Sequence, residues 1–330
     1  MTVLVTGGGG LVGSHVIEAL RARGDSVRAL VRERGESRAI VERLGAQTVI
    51  GDVTNADAWR RAAEGVDGIV HAAAIVQRRA SYDEYVRVNV GGTGLAVETA
   101  RAVGARLVHI SSVAVYGGTA AYRPERERQT EDHPFGPIAD HDFYARTKRA
   151  AEELVRDSAR GGGVPAVALR PNVIYGERDR LFTPRLIRIA RRRFLPLVGP
   201  GTNHLACVYA GNVAAAAVAA LEAPLDGFRA YNVTTDAEPR LTQREFLVTF
   251  AAALGAKPRI VPVPRLLARV FIALLAGPRL ARAGLSFATG ENPYVAERAR
   301  EELGWRPPFT PGQAIERTVR WFLTGAARGR

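Results

Sequence analysis

The 330-residue sequence predicts an α/β fold, a doubly wound parallel sheet followed by a smaller, mostly helical C-terminal lobe. Three observations carry this expectation. Short runs of β-branched residues alternate with amphipathic segments through the first half. A glycine cluster separates the first such run from the first amphipathic segment. Past residue 176 prolines punctuate the chain and the alternation loosens.

Element by element, strands are expected at 3–6, 27–31, 48–50, 69–74, 107–111 and 164–169. Helices are expected at 11–23, 37–44, 86–103 and 143–160. In the first helix Val12, Val16, Ala19 and Leu20 share a face, and Gly24 ends it. Strands joined by helices of this length imply right-handed crossovers and a parallel sheet covered on both faces. Ligands of such sheets sit at the carboxyl ends of the strands. In the second half, 242–254 and 311–323 read as helices, and 210–221 as a helix packing back on the first lobe. The expected division is a dinucleotide-binding domain at 1–175 and 206–235, with a substrate lobe at 176–205 and 236–330.

With 47% hydrophobic and 24% charged residues, the composition excludes disorder and coiled coil. One cysteine, Cys207, excludes an intramolecular disulfide and fits a reducing compartment. No basic stretch with a long apolar run opens the sequence, so a cytoplasmic location is expected. The apolar stretch 266–277 is interrupted by Arg269 and is too short to span a bilayer. It reads as a buried helix, with a pocket wall or a peripheral membrane contact as the other readings. The net charge is +13, but 44 of the 46 basic residues are Arg, spread along the chain without interleaved aromatics. A nucleic-acid partner is therefore not expected. The six histidines show no metal-ligand spacing, so no metal is expected.

Gly7, Gly10 and Gly13 follow the first strand and open the first helix. The first two let the backbone approach a pyrophosphate, with the amides of Leu11 and Val12 at the helix start. Gly13 lets helix and strand pack closely. After the second strand, the place where an acidic residue would hold ribose hydroxyls carries Val31, followed by Arg32. A guanidinium pairs with a 2′-phosphate, so NADP is favoured over NAD, although Glu33 follows. Asp52, beside Val53, either accepts from the adenine amino group or caps a helix.

Tyr144 and Lys148 stand one turn apart on a helix face. The chain writes its cations as Arg, yet keeps Lys here. A nearby ammonium favours phenolate over phenol, which brings Tyr144 toward acid/base work near neutral pH. Ser112, past the fifth strand, is the candidate to orient a substrate oxygen, with Ser111 as its competitor.

Residues 6–13, Asp52, His71-Ala72-Ala73, Asn89-Val90-Gly91-Gly92-Thr93, Ser112 with Val115-Tyr116-Gly117, and residues 144–148 together resemble the extended short-chain dehydrogenase/reductase family, of Rossmann fold. The likeness runs through nearly the whole chain. It implies a nicotinamide cofactor, Tyr144 as acid/base, Lys148 as ribose-binding residue, Ser112 as orienting residue and Asn89 as support. It also places Ala72, Ala73, Pro171 and Val173 against the cofactor.

The second half is similar to the 3β-hydroxysteroid dehydrogenase and sterol-4-carboxylate dehydrogenase branch. Leu169-Arg170-Pro171-Asn172-Val173-Ile174-Tyr175-Gly176-Glu177 and Cys207-Val208-Tyr209-Ala210-Gly211-Asn212-Val213-Ala214 carry this. Nucleotide-sugar enzymes usually place Asn three residues after this Arg; here Val173 stands there and Asn172 comes one position early.

The expected function is interconversion of a secondary alcohol and a ketone on a hydrophobic small molecule. A nucleotide-sugar epimerase or dehydratase is the alternative, and a non-enzymatic dinucleotide sensor the third reading. A homodimer is compatible with the sequence. The polar stretch 122–142 is expected to overhang the site as a lid.

Overall fold

The computed structural model describes residues 1–33, 36–76, 80–117, 128–160, 163–276, 285 and 287–328. Among them a seven-stranded sheet runs in the order β10-β6-β5-β4-β1-β2-β3, with every neighbouring pair parallel. Its strands are β1 (Thr2–Thr6), β2 (Ser26–Val31), β3 (Gln47–Ile50), β4 (Gly68–His71), β5 (Arg106–Ile110), β6 (Ala166–Pro171) and β10 (Phe228–Val233).

Alternation along the strands builds two cores. Val3 and Val5 face one side, against α1 (Leu11–Ala22) and α8 (Ala210–Glu222). Leu4 faces the other, with Trp59 of α3 (Ala56–Ala62), Ala96 and Ala100 of α5 (Gly92–Val103) and Val155 of α6 (Phe143–Ser158). The expected doubly wound sheet is thus present, and α8 does pack on α1. Gly68 has a reason to be glycine there: a Cβ would fall 2.7 Å from Leu221.

Four details differ from expectation. Helix α3 was not anticipated. Two turns are too short for a clear period, although Asn55 caps it by accepting from the Ala58 amide. Strand β4 stops at His71 rather than at 74, because the Ala73 amide turns to the Thr6 hydroxyl, 3.3 Å away. The helix expected from 86 begins earlier, at α4 (Tyr82–Tyr85), behind a Ser81–Glu84 capping box, and continues through a π-helical segment, Val86–Gly91, into α5. The last expected strand is shifted, since β6 begins at Ala166 and runs to Pro171.

The remaining elements form a third core. Helices α7 (Thr183–Ala190), α9 (Gln243–Ala253) and α12 (Pro311–Arg328) pack with β7 (Val173–Tyr175) and β9 (Cys207–Tyr209), and with β8 (Phe194–Val198) paired to β11 (Arg259–Val263). A short α11 (Glu297–Glu302) precedes α12. These short strands escaped the sequence reading because Pro196 and Pro262 interrupt them, which edge pairings tolerate.

Helix α10 (Arg265–Ala276) is present but not buried: Leu266 is 70% and Leu274 80% exposed. Of the expected lid, 122–127 lie outside the described residues. Within the described part, Gln129 pairs with Tyr294 and the buried Glu131 accepts from the Asn232 amide at 2.7 Å. No helix among the described residues is long and apolar enough to cross a membrane.

A buried network fixes α6 on the sheet. Glu152, fully buried, takes Arg170 of β6 at 2.5 Å and the Ser111 hydroxyl at 2.6 Å. Arg170 also donates to the Tyr116 hydroxyl at 2.8 Å and the Glu131 carbonyl at 3.2 Å. Removing one partner of such a pair strands a charge. Arg170→Leu is therefore expected to cost about 3–5 kcal/mol in urea unfolding. A loss under about 1 kcal/mol would show that water reaches Glu152.

Candidate active site

Because all seven strands are parallel, their carboxyl ends share one edge, and the candidate residues meet there. Gly7 has φ +69°, a conformation that favours glycine, and a Cβ on it would fall 2.9 Å from the Ala72 and Ala73 backbone. A Cβ on Gly13 would overlap the Gly7 carbonyl. The Gly10 amide closes the turn onto the Gly7 carbonyl at 2.8 Å. No side chain caps α1, so its first-turn amides, from Leu11 and Val12 onward, stay open for an anion. The turn fits a pyrophosphate.

Arg32 leaves the end of β2 exposed, beside an exposed Glu33. Asp52 and Val53 lie half-buried past β3. Asp52 is not a helix cap, since its Oδ1 accepts from the Thr54 amide at 3.0 Å and hydroxyl at 2.8 Å, while Asn55 caps α3. Ala72 and Ala73 follow β4. Pro171 ends β6, and Val173 is half-buried beside it.

Tyr144 and Lys148 lie on the first turns of α6, started by Asp142 as N-cap. The two serines separate by role. Ser111 is spent on Glu152. Ser112 neighbours the Tyr144 phenol and accepts from the Ala114 amide at 3.1 Å. Asn89, 2% exposed, sits in the π-helical segment. Its carboxamide accepts from the Ile75 amide at 2.7 Å and donates to the Ile75 carbonyl and the Thr147 hydroxyl. It laces the segment after β4 to the helix that carries Tyr144.

One expectation is reversed. The Tyr144 phenol is raised from its ordinary value, not lowered: burial dominates, the neighbouring Ser112 hydroxyl only partly opposes it, and Asp142 adds to it. The Lys148 ammonium is turned away, donating to the Ile110 carbonyl at 2.5 Å and to His109 Nε2 at 3.3 Å. Burial pushes Lys148 down to about 8, partly offset by Glu152. His71, which also ends a strand here, is held neutral by burial at about 3 and bonds the Thr6 hydroxyl at 2.8 Å. His109 stacks on it at 5.6 Å.

The sequence reading did not pick out Glu152 or His109 as parts of this assembly. Glu152 was legible in principle, since it stands one turn past Lys148 on the same face. Desolvation and the nearby Asp236 push the Cys207 thiol well above its ordinary value. No metal-binding cluster occurs among the described residues. A charged cleft of about 380 Å³ opens around Arg170 and Arg298 and contains none of the candidate side chains.

A glycine turn open to a pyrophosphate, with a tyrosine, serine and lysine at the same sheet edge, defines an NAD(P)-dependent enzyme of the short-chain dehydrogenase/reductase type. Residues 3–234 match the NAD dependent epimerase/dehydratase family, and the chain belongs to it, the extended branch of that class. The chain is 33% identical, over 96% of its length and 95% of the relative's, to a 4-hydroxy-2-methyl-3-oxo-4-farnesyl-3,4-dihydroquinoline-1-oxide ketoreductase of Stigmatella aurantiaca. It is 29% identical to a mouse sterol-4-alpha-carboxylate 3-dehydrogenase (decarboxylating), over 96% and 90%. This agrees with the branch suggested by the second half. Among solved structures, a Thermus thermophilus UDP-glucose 4-epimerase in complex with NAD superimposes with a TM-score of 0.70 at 27% identity, covering 98% of this chain and 99% of that one.

The lowered Lys148 pKa has a consequence for stability. Between about pH 8 and the ordinary lysine value of 10.5, the unfolded chain holds a proton that the folded chain has released. This group's contribution to stability therefore rises with pH through that window. From about pH 7.5 to about pH 10.5, wild-type unfolding free energy should gain roughly 3 kcal/mol relative to Lys148→Met. A pH-independent difference would place Lys148 in contact with water.

Proposed function

We propose that this protein reduces a ketone to a secondary alcohol on an apolar small molecule. The observation that carries the reading is the placement of Tyr144, on the first turn of α6 beside Ser112 at the carboxyl edge of the sheet, where burial raises its phenol and keeps it protonated. A protonated phenol at neutral pH is the form that donates to a carbonyl oxygen. When bound, the reduced nicotinamide supplies the hydride to the carbonyl carbon. Tyr144 delivers the proton to the oxygen, and Ser112 orients that oxygen. Lys148 supplies a compact cation beside the cofactor ribose, and Asn89 keeps the helix and the segment after β4 in register. The residues proposed to hold the cofactor are Gly7, Gly10, Leu11, Val12, Gly13, Asp52, Val53, Ala72, Ala73, Pro171 and Val173.

The substrate class follows from the end of β6. Asn172 is buried and donates its side-chain amide to the Thr234 carbonyl at 2.9 Å, so that nitrogen is spent inside the fold. The next position, half-buried, is Val173. A side-chain shift of one residue reverses the face along an extended segment. The place where nucleotide-sugar enzymes put a polar anchor is thus aliphatic. Burying roughly 200 Å² of substrate hydrocarbon would supply about 5 kcal/mol before binding costs. The relatives' names, a ketoreductase of a farnesylated ring and a sterol dehydrogenase, support sterol-like, polyketide-like or long-chain substrates.

Apolar ketones are expected to oxidise NAD(P)H in the presence of the protein, and Tyr144→Phe to lower that turnover by roughly 100-fold or more with cofactor affinity kept. UDP-sugar conversion without net cofactor turnover, together with inertness toward apolar ketones, would favour the epimerase reading instead.

For the cofactor, we infer a preference for NADP, resting on the free Arg32 guanidinium after β2. Arg32→Ala should weaken NADPH binding roughly 10- to 150-fold and leave NADH nearly unchanged. Equal losses for both, read by cofactor fluorescence titration, would remove the basis for the preference.

A further inference from the structure

We propose that the C-terminal lobe docks on anionic lipid bilayers through an apolar surface made by α10 and the exposed face of the β8–β11 pair. On α10, Leu266, Leu267, Val270 and Leu274 are 70, 61, 50 and 80% exposed. At helical spacing these four fall within an arc of about 100°. Ala268, on the opposite side, is buried. The helix therefore turns Ala268 to the lobe and offers Leu266, Leu267, Val270 and Leu274 outward.

The strands before it extend this surface. Along β8, Leu195 and Leu197 point into the core, while Phe194 and Pro196 point out. Pro196 lies in register with Val261 of β11, which is also exposed. Strand β11 leads through Pro264 directly into α10.

Charge selects the occupant. Stretches 180–221 and 246–290, which contain β8, β11 and α10, hold twelve Arg and Lys and no Asp or Glu, against +13 for the whole chain. Arg191, Arg192 and Arg193 just before β8, Arg259 at the start of β11, and Arg265 and Arg269 on α10 are all exposed. Exposed leucines and valines give nucleic acid nothing to stack on. A second copy presenting the same face would bring like charges together. An anionic bilayer satisfies both parts: acyl chains take the leucines and headgroups take the arginines. Twelve helical residues span about 18 Å, so α10 lies along the surface rather than through it.

The test is flotation of the full-length protein with phosphatidylcholine vesicles, with and without about one third phosphatidylglycerol. Wild type should float with the anionic vesicles, stay mostly free of the neutral ones, and be released by salt. Leu266→Glu with Leu274→Glu should lose at least about tenfold in vesicle affinity, and Arg191→Ala with Arg192→Ala and Arg193→Ala on the order of 100-fold. All substituted side chains are exposed, so unfolding midpoint and NADH fluorescence titration should match wild type and certify the fold. Failure of wild type to float with either vesicle overturns the proposal. So does wild-type flotation of the leucine variant. A dimer in sedimentation velocity that the leucine variant dissociates, without vesicle binding, assigns the surface to a second copy instead. None of these outcomes bears on ketone turnover, so this inference fails or stands apart from the proposed reaction.

Discussion

The buried pair of Glu152 and Arg170 is the constraint on which the site depends. Tyr144, Lys148 and Glu152 succeed one another at four-residue steps along one face of α6. Glu152 is the only one of the three held by a full charge, with Ser111 of the β5 end as a second partner. Fixing the third turn fixes the rotation of the first two. The phenol is thereby delivered to Ser112, and the ammonium to the end of β5. Such a pair gains little net stability over an apolar replacement, because both charges lose water. Its value here lies in orientation.

A second tie joins the lobes. Glu177 accepts from Tyr209 at 2.8 Å, from Arg317 of α12 at 3.3 Å, and meets His15 of α1 at 3.1 Å. Burial alone would raise this carboxyl, but the hydrogen bonds from His15 and Tyr209 outweigh it and hold it down to about 2. His15 also bonds the Leu11 carbonyl at 2.7 Å, in the first turn of the helix that faces the pyrophosphate. The cofactor turn and the second lobe are therefore linked through one buried carboxylate.

Much of this was legible in the sequence. The glycines at 7, 10 and 13 and the Tyr144–Lys148 spacing are local patterns, and local patterns survive without coordinates. The sheet followed from its alternation. What stayed hidden was non-local or short. Arg170 and Glu152 are 18 residues apart and meet only when β6 lies beneath α6. The α3 helix and the β8–β11 pair are too brief or too proline-marked for a period to show. The direction of the Tyr144 shift could not be read either. Spacing predicted a cation beside the phenol, whereas the Ile110 carbonyl, which no sequence pattern marks, draws that cation away. Likewise the apolar run at α10 has the composition of a buried helix, and only the tertiary packing leaves Leu266, Leu267 and Leu274 outside.

The most direct test of this account is the kinetics of the double variant Glu152→Leu with Arg170→Met. It removes the ion pair without stranding either charge, so the fold should hold to within about 2 kcal/mol of wild type. If the pair orients Tyr144 and Lys148, kcat for ketone reduction at saturating cofactor falls at least about tenfold, and cofactor affinity weakens with it. Wild-type kcat in a stably folded double variant would contradict the account and assign the orientation of Tyr144 to the packing of α6 alone.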